Sequence, residues 1–324
     1  MCKRISVIIV SWNVCHLLLD AIASVMCSAN GVELEVIVVD NGSSDGTPAK
    51  VRDAYPDVIV IEIGANLGFA RANNIGMQRS TGDYILLLNP DTRVGRDAIG
   101  AMARFMDEHP DVGLVGPMLL SGDGRPQRVA ARRSYTLLST IVLDIVGLGR
   151  IPLFGAFLLA RLRYPYDLQR PGYVEVISGA AMMMRASMVR AVGGLSEAFF
   201  MCGEDIEFCD RVNSSGYRVY YLPTARIVHY GQSCTPVDPV GISINRLMSS
   251  AHYYSLKYGR MGGWMYRLAV LSVGVPKLLM SAVAALVTGR WDVACTKAGL
   301  ARGLVRGRFV GDAAFMNSRK GSDA

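Results

Sequence analysis

The chain has 324 residues, 51% of them hydrophobic, and a mean hydropathy of +0.28, which bounds it to one large or two ordinary domains and excludes wholesale disorder. Its formal charge of +7 is unevenly placed: residues 257–312 carry nine Lys/Arg against two Asp, whereas residues 1–256 carry 23 basic and 24 acidic groups. Positive charge beside apolar helices suits an anionic membrane surface. A nucleic-acid surface would interleave a basic stripe with stacking aromatics, and that pattern is missing, so no nucleic-acid partner is expected.

In chain order, residues 5–10 form an apolar run typical of a buried strand, too short for the core of a signal peptide. Leu18, Ile22, Val25 and Met26 give 15–27 helical spacing. A strand at 34–39 ends in Asp40-Asn-Gly-Ser-Ser-Asp-Gly-Thr47, a turn-rich loop entering a helix through Thr47-Pro48. Strands follow at 58–63 and 84–88 with a helix at 68–79 between them, and this alternation predicts parallel βαβ units with helices on both faces of the sheet. The run at 84–88 is apolar on both faces and stops abruptly at Asn89-Pro90-Asp91. Either Asp91 anchors a divalent cation through hard oxygen atoms, or Asn89 to Thr92 caps the next helix.

Three strand ends thus carry polar groups, at Ser11 to Asn13, at Asp40 to Ser44 and at Asn89 to Asp91. All lie on the edge where an open α/β sheet binds a nucleotide. No Gly-x-x-x-x-Gly-Lys loop occurs, nor a Gly-x-Gly-x-x-Gly after the first strand, which weakens the NTPase and simple dehydrogenase readings. Beyond 120 the alternation fades into a basic loop with Arg125, Arg128, Arg132 and Arg133, which either meets phosphate groups or is simply solvated. An apolar stretch at 136–160 follows, broken by Gly147, Gly149, Pro152 and Gly155. A second ordered block, 174–229, contains a short helix at 186–192, a helix from 203 to about 215 opened by Glu204-Asp205, and two short strands at 218–222 and 226–229.

The run 268–288 is about long enough to cross a bilayer, but Pro276 and Lys277 interrupt it. It is expected as two short helices on or dipping into the membrane surface, with Arg290, Lys297, Arg302, Arg306 and Arg308 at the headgroups. The alternative is a buried hairpin or an interface within a homo-oligomer. The seven cysteines, at 2, 15, 27, 202, 209, 234 and 295, contain no Cys-x-x-Cys pair. Reduced cytosolic thiols are expected rather than a disulfide framework or a zinc site.

Six blocks now stand in one order: Ser6-Val-Ile-Ile-Val-Ser-Trp-Asn13, Val38-Val-Asp-Asn-Gly-Ser-Ser-Asp-Gly46, Asn66-Leu-Gly-Phe-Ala-Arg-Ala-Asn-Asn74, Leu88-Asn-Pro-Asp91, Ser178-Gly-Ala-Ala181 and Gly203-Glu-Asp-Ile-Glu-Phe-Cys-Asp-Arg211. In that order they resemble the inverting GT-A glycosyltransferases, and within them the rhamnosyltransferase branch, over roughly residues 4–232. The resemblance implies an α/β GT-A fold, mainly parallel, with a catalytic domain at 1–240; residues 241–324 carry no motif of that family, and their charge and apolar runs make them a helical, basic, membrane-peripheral region. It further implies transfer of a deoxyhexose, L-rhamnose from dTDP-L-rhamnose, to a lipid-linked cell-envelope glycan at the cytoplasmic face of the membrane. A galactofuranosyl, glucosyl or mannosyl donor, or a non-catalytic nucleotide-sugar-binding subunit, is the alternative.

Carried over residue by residue, Asp40 matches the acid that contacts the base, with Ser11, Asn13, Asn41, Asn66, Gly68, Phe69, Arg71 and Asn74 beside it, although Asp-Asn-Gly is also a turn signal by itself. Asp91 matches the last acid of the Asp-x-Asp motif that holds Mg²⁺ or Mn²⁺, with Asn89 in place of the first. His229 resembles a further ligand, and imidazole suits Mn²⁺ better than Mg²⁺. Ser178, Gly179 and Ala180 leave room for the sugar. Asp205 aligns with the general base, with Glu204 as the neighbour confusable with it.

Overall fold

The computed structural model describes residues 3–28, 31–134, 136–146, 166–231 and 239–305. Gly147, Gly149, Pro152 and Gly155, Arg306, Arg308, Cys2 and Cys234 lie outside the described residues. The chain divides into two compact units, Met1–Ser134 with Tyr166–Phe199 and Glu204–Ser233, and Tyr135–Pro165 with Phe200–Gly203 and Cys234–Ala324. The apolar stretch after 135 thus groups with the C-terminal helices rather than with the rest of 1–240.

In the first unit the strands are β1 (Arg4–Ser11), β2 (Glu33–Asp40), β3 (Ile59–Glu62), β4 (Tyr84–Leu88), β5 (Thr92–Val94), β6 (Val112–Leu120), β7 (Ala131–Arg132), β8 (Gly172–Tyr173), β9 (Val176–Ile177), β10 (Ala181–Arg185) and β11 (Arg218–His229). The helices are α1 (Cys15–Cys27), α2 (Thr47–Ala54), α3 (Phe69–Arg79), α4 (Ala98–Glu108), α6 (Ala186–Val192) and α7 (Glu204–Ser214), while α5 (Leu137–Thr140) belongs to the second unit. Among the described residues nine strands make one sheet in the order β3-β2-β1-β4-β10-β6-β11-β5, with β8 on β11, and β7 and β9 form a separate ribbon.

Pairing is parallel through β3, β2, β1 and β4 and again between β6 and β11. β10 runs antiparallel to both β4 and β6, and β5 antiparallel to β11. The sheet is therefore mixed rather than simply parallel, because a late strand is inserted between the two parallel groups. The expected strands at 218–222 and 226–229 are one strand, β11, whose register against β6 slips between Leu222 and Arg226. Pro223, which has no N–H for a ladder, lies inside that slip.

β1, β2 and β4 are apolar on both faces because both are covered: Ile8, Ile37, Leu86 and Leu87 are fully buried, and α3 packs on β1 and β2. That packing is close, since a Cβ on Gly76 of α3 would collide with Ile8 and Val39. The cap reading of Asn89 to Thr92 fails. Thr92 opens β5, its hydroxyl donating 2.7 Å to the Asn89 carbonyl, and α4 begins only after Asp97.

The second unit holds α5 (Leu137–Thr140) running into a π-helical turn at Ile141–Ile145, then α8 (Pro239–Ala269), a π-helical turn at Val270–Gly274, α9 (Val275–Val287) and α10 (Trp291–Gly303). Ser243–Val287 is long and apolar enough to cross a membrane by length and composition. The helix is nevertheless broken at Tyr258 (φ −124°) and Gly259 (φ +72°). A Cβ on Gly262 would sit 2.6 Å from the Tyr254 carbonyl, and Tyr266 packs on Tyr254 at 5.3 Å. Residues twelve apart in a straight helix are about 18 Å distant, so the chain turns back here. Pro276 does not divide the later run: it occupies the first turn of α9 just after the π turn, where its missing N–H is tolerated. Lys277 is satisfied as well, its ammonium donating to the carbonyls of Ile145 at 3.0 Å and Val146 at 2.7 Å.

Candidate active site

Register brings the expected strand ends to one edge. Ser11 pairs with Asp40, and Ala181 at the start of antiparallel β10 pairs with Leu88, so the turn 178–180 enters beside Asn89. His229 at the end of β11 pairs with Thr92. The Asn89 N–H donates to the Ala180 carbonyl at 2.9 Å, and the Gly179 N–H donates to Asp205 Oδ2 at 3.4 Å, which ties α7 to the same edge.

At the β1/β2 end, Asp40 is 2% exposed and its two oxygens differ. Oδ2 accepts the N–H groups of Gly42 at 3.2 Å and Ser43 at 2.9 Å, which makes the turn, whereas Oδ1 is buried without a hydrogen-bond partner. Ser11 Oγ is in the same condition. Buried polar atoms are paired almost without exception, so these two point to a ligand. Gly42 permits the turn: its φ is +81°, and a Cβ would lie 2.8 Å from the Ala65 backbone.

The neighbouring asparagines build the loop. Asn41 donates to Asn66 Oδ1 at 3.0 Å and accepts the Leu67 N–H at 2.8 Å, and Asn66 Oδ1 also accepts the Gly68 N–H at 3.0 Å. Asn13, at φ +54°, accepts the Ser44 N–H at 2.7 Å and so joins the two loops. The Phe69 ring lies against Gly179. Two predicted binding residues are occupied elsewhere: Asn74 bonds Leu195 N–H, Leu195 carbonyl and Glu197, and Arg71 is exposed and 3.8 Å from Glu197. Asn74 supports the 195–197 turn.

At the β4 end, Asp91 is 1% exposed, and its Oδ1 lies 3.5 Å from His229 Nε2. Gln127, which no motif marked, fixes the imidazole. Its amide nitrogen donates to the His229 carbonyl at 2.6 Å and to Ser121 Oγ, leaving Oε1 as acceptor for His229 Nδ1 at 3.0 Å. Nδ1 is therefore the donor, and Nε2 is the ring nitrogen that faces Asp91. Asn89 Nδ2 lies 3.4 Å from the same nitrogen. A carboxylate oxygen and an imidazole nitrogen converging in this way fit a divalent cation, and among the described residues no third His, Cys, Asp or Glu joins them. Two protein ligands suit an ion that takes its other ligands from water and phosphate oxygens.

At the start of α7 the adjacent acids have different surroundings. Asp205 Oδ1 accepts the Ile206 N–H at 2.9 Å, and Oδ2 faces Gly179 N–H and Arg132 Nη2, the latter at 3.6 Å. Glu204 is buried, with Oε2 unpartnered. Burial first, then the Asp205 charge, pushes its carboxyl up to about 8. Glu204 is thus a neutral acid at pH 7. The arrangement places the Asp205 carboxylate at the edge that also carries Asp40 and Asp91.

Among solved structures, the fold resembles the mannosyltransferase PcManGT from Pyrobaculum calidifontis, solved in complex with GDP-Man and Mn²⁺, with a TM-score of 0.53 at 16% identity over 93% of this chain and 85% of that one. The architecture is that of the GT-A glycosyltransferases. More particularly, the family model "Glycosyl transferase family 2" matches residues 6–193, and the chain belongs to that family. The N-acetylglucosaminyl-diphospho-decaprenol L-rhamnosyltransferase of Mycobacterium tuberculosis is 32% identical over 219 residues, 64% of this chain and 69% of that protein. Rhamnosyltransferase WbbL of Escherichia coli is 25% identical over 175 residues, 52% of this chain and 62% of that one. The family match stops before Glu204, so the assignments of Glu204, Asp205 and His229 rest on the geometry above.

Proposed function

We propose that the enzyme transfers L-rhamnose from dTDP-L-rhamnose, with inversion, to a lipid-linked glycan of the cell envelope at the cytoplasmic face of the membrane. The mycobacterial relative, named for rhamnosyl transfer to a diphospholipid-linked sugar, supports the transferred sugar and the acceptor class. The observation that carries the chemistry is Asp205, an ionisable carboxylate oriented by two backbone N–H groups and Arg132 beside the nucleotide edge.

Asp205 takes the proton of the acceptor hydroxyl as its oxygen bonds to the anomeric carbon, and the bond from that carbon to the diphosphate oxygen breaks on the opposite face. Asp40 Oδ1 and Ser11 Oγ receive the base and ribose, and the clasped loop of Asn41, Asn66 and Gly68 shapes their walls. Asp91 and His229 hold Mg²⁺ or Mn²⁺, with Gln127 orienting the imidazole. Charge neutralisation on the departing diphosphate is what a cation there supplies. Exposed apolar residues of α8 and α9 with flanking Lys and Arg support peripheral attachment to an anionic membrane.

The test is transfer from a panel of nucleotide sugars, with and without Mn²⁺, using membrane extract as acceptor, for wild type and Asp205→Asn. Turnover with dTDP-L-rhamnose that falls by about 10²–10⁴ in the variant, while dTDP binding persists, is expected. Tight nucleotide binding without turnover on any donor overturns the reading in favour of a binding subunit. Turnover with another hexose corrects the donor alone.

A further inference from the structure

Glu204 and Asp205 are two carboxyls adjacent in sequence at one helix start, both sheltered from solvent, and the chemistry needs the negative charge on a particular one. Each negative charge raises the cost of the other, so whichever group has the better partner for its charged form is the one that ionises. Glu204 is the more buried and has an unpartnered Oε2. Asp205 has the partner: Arg132 Nη2 lies 3.6 Å from Oδ2, with side chains 23% and 15% exposed.

Arg132 is itself held in place, on the short strand β7 paired with β9, Arg132 opposite Val176. Cys209, on the same helix α7, is close enough to feel the charges of Asp205, Arg132 and Asp210; burial pushes its thiol up to about 12, so it stays neutral. β6, β9, β11 and α6, which also pack against α7, bring no charged group within ion-pair distance of either carboxyl among the described residues.

We propose that Arg132 assigns the two roles: its guanidinium keeps the charge on Asp205, leaving the proton on Glu204, so that the residue facing the acceptor is the one able to take a proton. Arg132 is a positioning residue in this scheme, acting through Asp205. The inference rests on Asp205 as the base, and it adds that the choice between the neighbouring acids is made by a residue more than 70 positions earlier in the chain.

The experiment is the pH dependence of kcat/KM for dTDP-L-rhamnose, with membrane acceptor, in wild type, Arg132→Gln, Arg132→Lys and the neighbouring control Arg133→Gln. In Arg132→Gln the acid limb moves up by about 1–2 pH units, activity near neutrality falls roughly tenfold or more, and it recovers at higher pH. Arg132→Lys restores most of the wild-type limb, and Arg133→Gln leaves it unmoved. A loss of the same factor at every pH, or no change, overturns the proposal.

A donor-independent measurement covers the case in which the wild type does not turn over this sugar. In thermal melts at pH 7, a double-mutant cycle of Arg132→Gln with Asp205→Asn shows coupling that disappears at pH 3, whereas the cycle with Glu204→Gln shows little. Coupling as large with Glu204 as with Asp205 overturns the assignment of charge while leaving the transferase reading untouched. Coupling of the expected kind without turnover faults that reading alone.

Discussion

The sheet unit and the C-terminal helices are each incomplete in an opposite sense. In the sheet unit the central strands are covered: β1, β2, β4 and β10 are buried almost to the last residue. What lacks a partner there is polar, namely Ser11 Oγ, Asp40 Oδ1 and Glu204 Oε2. In the helical unit, among the described residues, Lys277 donates to two carbonyls and the Thr140 hydroxyl bonds Tyr254. There the apolar residues stand in solvent, with Met280 73% and Val287 83% exposed. One unit is shaped for a ligand with hydrogen-bonding atoms, the other for a surface without them.

Glu204 is the sharpest probe of the first half of that contrast. Below about pH 4.5 its carboxyl is protonated whether the chain is folded or not. Between 4.5 and 8 the unfolded chain gives up the proton that the folded one retains, so folding stability falls as pH rises, and above 8 the loss is complete. Glu204→Gln removes this dependence. Relative to wild type the variant gains stability from pH 5 to 8, by roughly 3–5 kcal/mol over the full range. Parallel stability curves for the two proteins, from urea titrations at each pH, would show that Glu204 already has its partner.

Gln127 tests the metal end with a smaller effect. Gln127→Ala leaves Asp91 and His229 in place but frees the ring to turn and to change tautomer. Affinity for Mn²⁺, read by calorimetry with dTDP present, is expected to fall about 10–100-fold with the fold intact. Equal affinity in the variant means that the ring is oriented by its strand alone.

Much of the sheet edge was legible in the residues because the signals there are local. The helix 15–27 and the strand 84–88 sit where their periodicity put them. α4 was passed over although Ala98, Ile99, Met102, Ala103 and Met106 carry helical spacing, and β6 beside it is a plain apolar run. The direction of β10 was not legible, since the apolar residues 181–184 fit a parallel strand equally well. β11 read as two strands because Pro223 interrupts it, and only the pairing with β6 shows one strand with a slip. Gln127 left no trace, its role depending on a histidine 102 residues away. Glu204 and Asp205 are likewise indistinguishable as letters. Burial separates them, and burial is a property of the finished fold.

The membrane half of the contrast yields the smallest expected effect. Met261, Trp264, Met265 and Leu268 recur at spacings of three and four on one stripe of α8, and Leu279, Met280, Val283, Leu286 and Val287 do so on α9, all exposed. Arg260, Arg267, Arg290, Lys297 and Arg302 lie along the same segment. If a bilayer covers the stripe, replacing Trp264 and Met280 by Ser removes side chains that together contribute about 1.4 kcal/mol on partial immersion, so binding to anionic vesicles weakens roughly tenfold. Raising salt weakens it further, because headgroup attraction is screened while the apolar part is not. If a second copy of the chain covers the stripe instead, the double variant keeps its vesicle binding and changes its elution from dimer to monomer on size-exclusion chromatography. An apolar stripe by itself fits both occupants; the basic residues beside it are what favour lipid, since a self-facing patch would set like charges against each other.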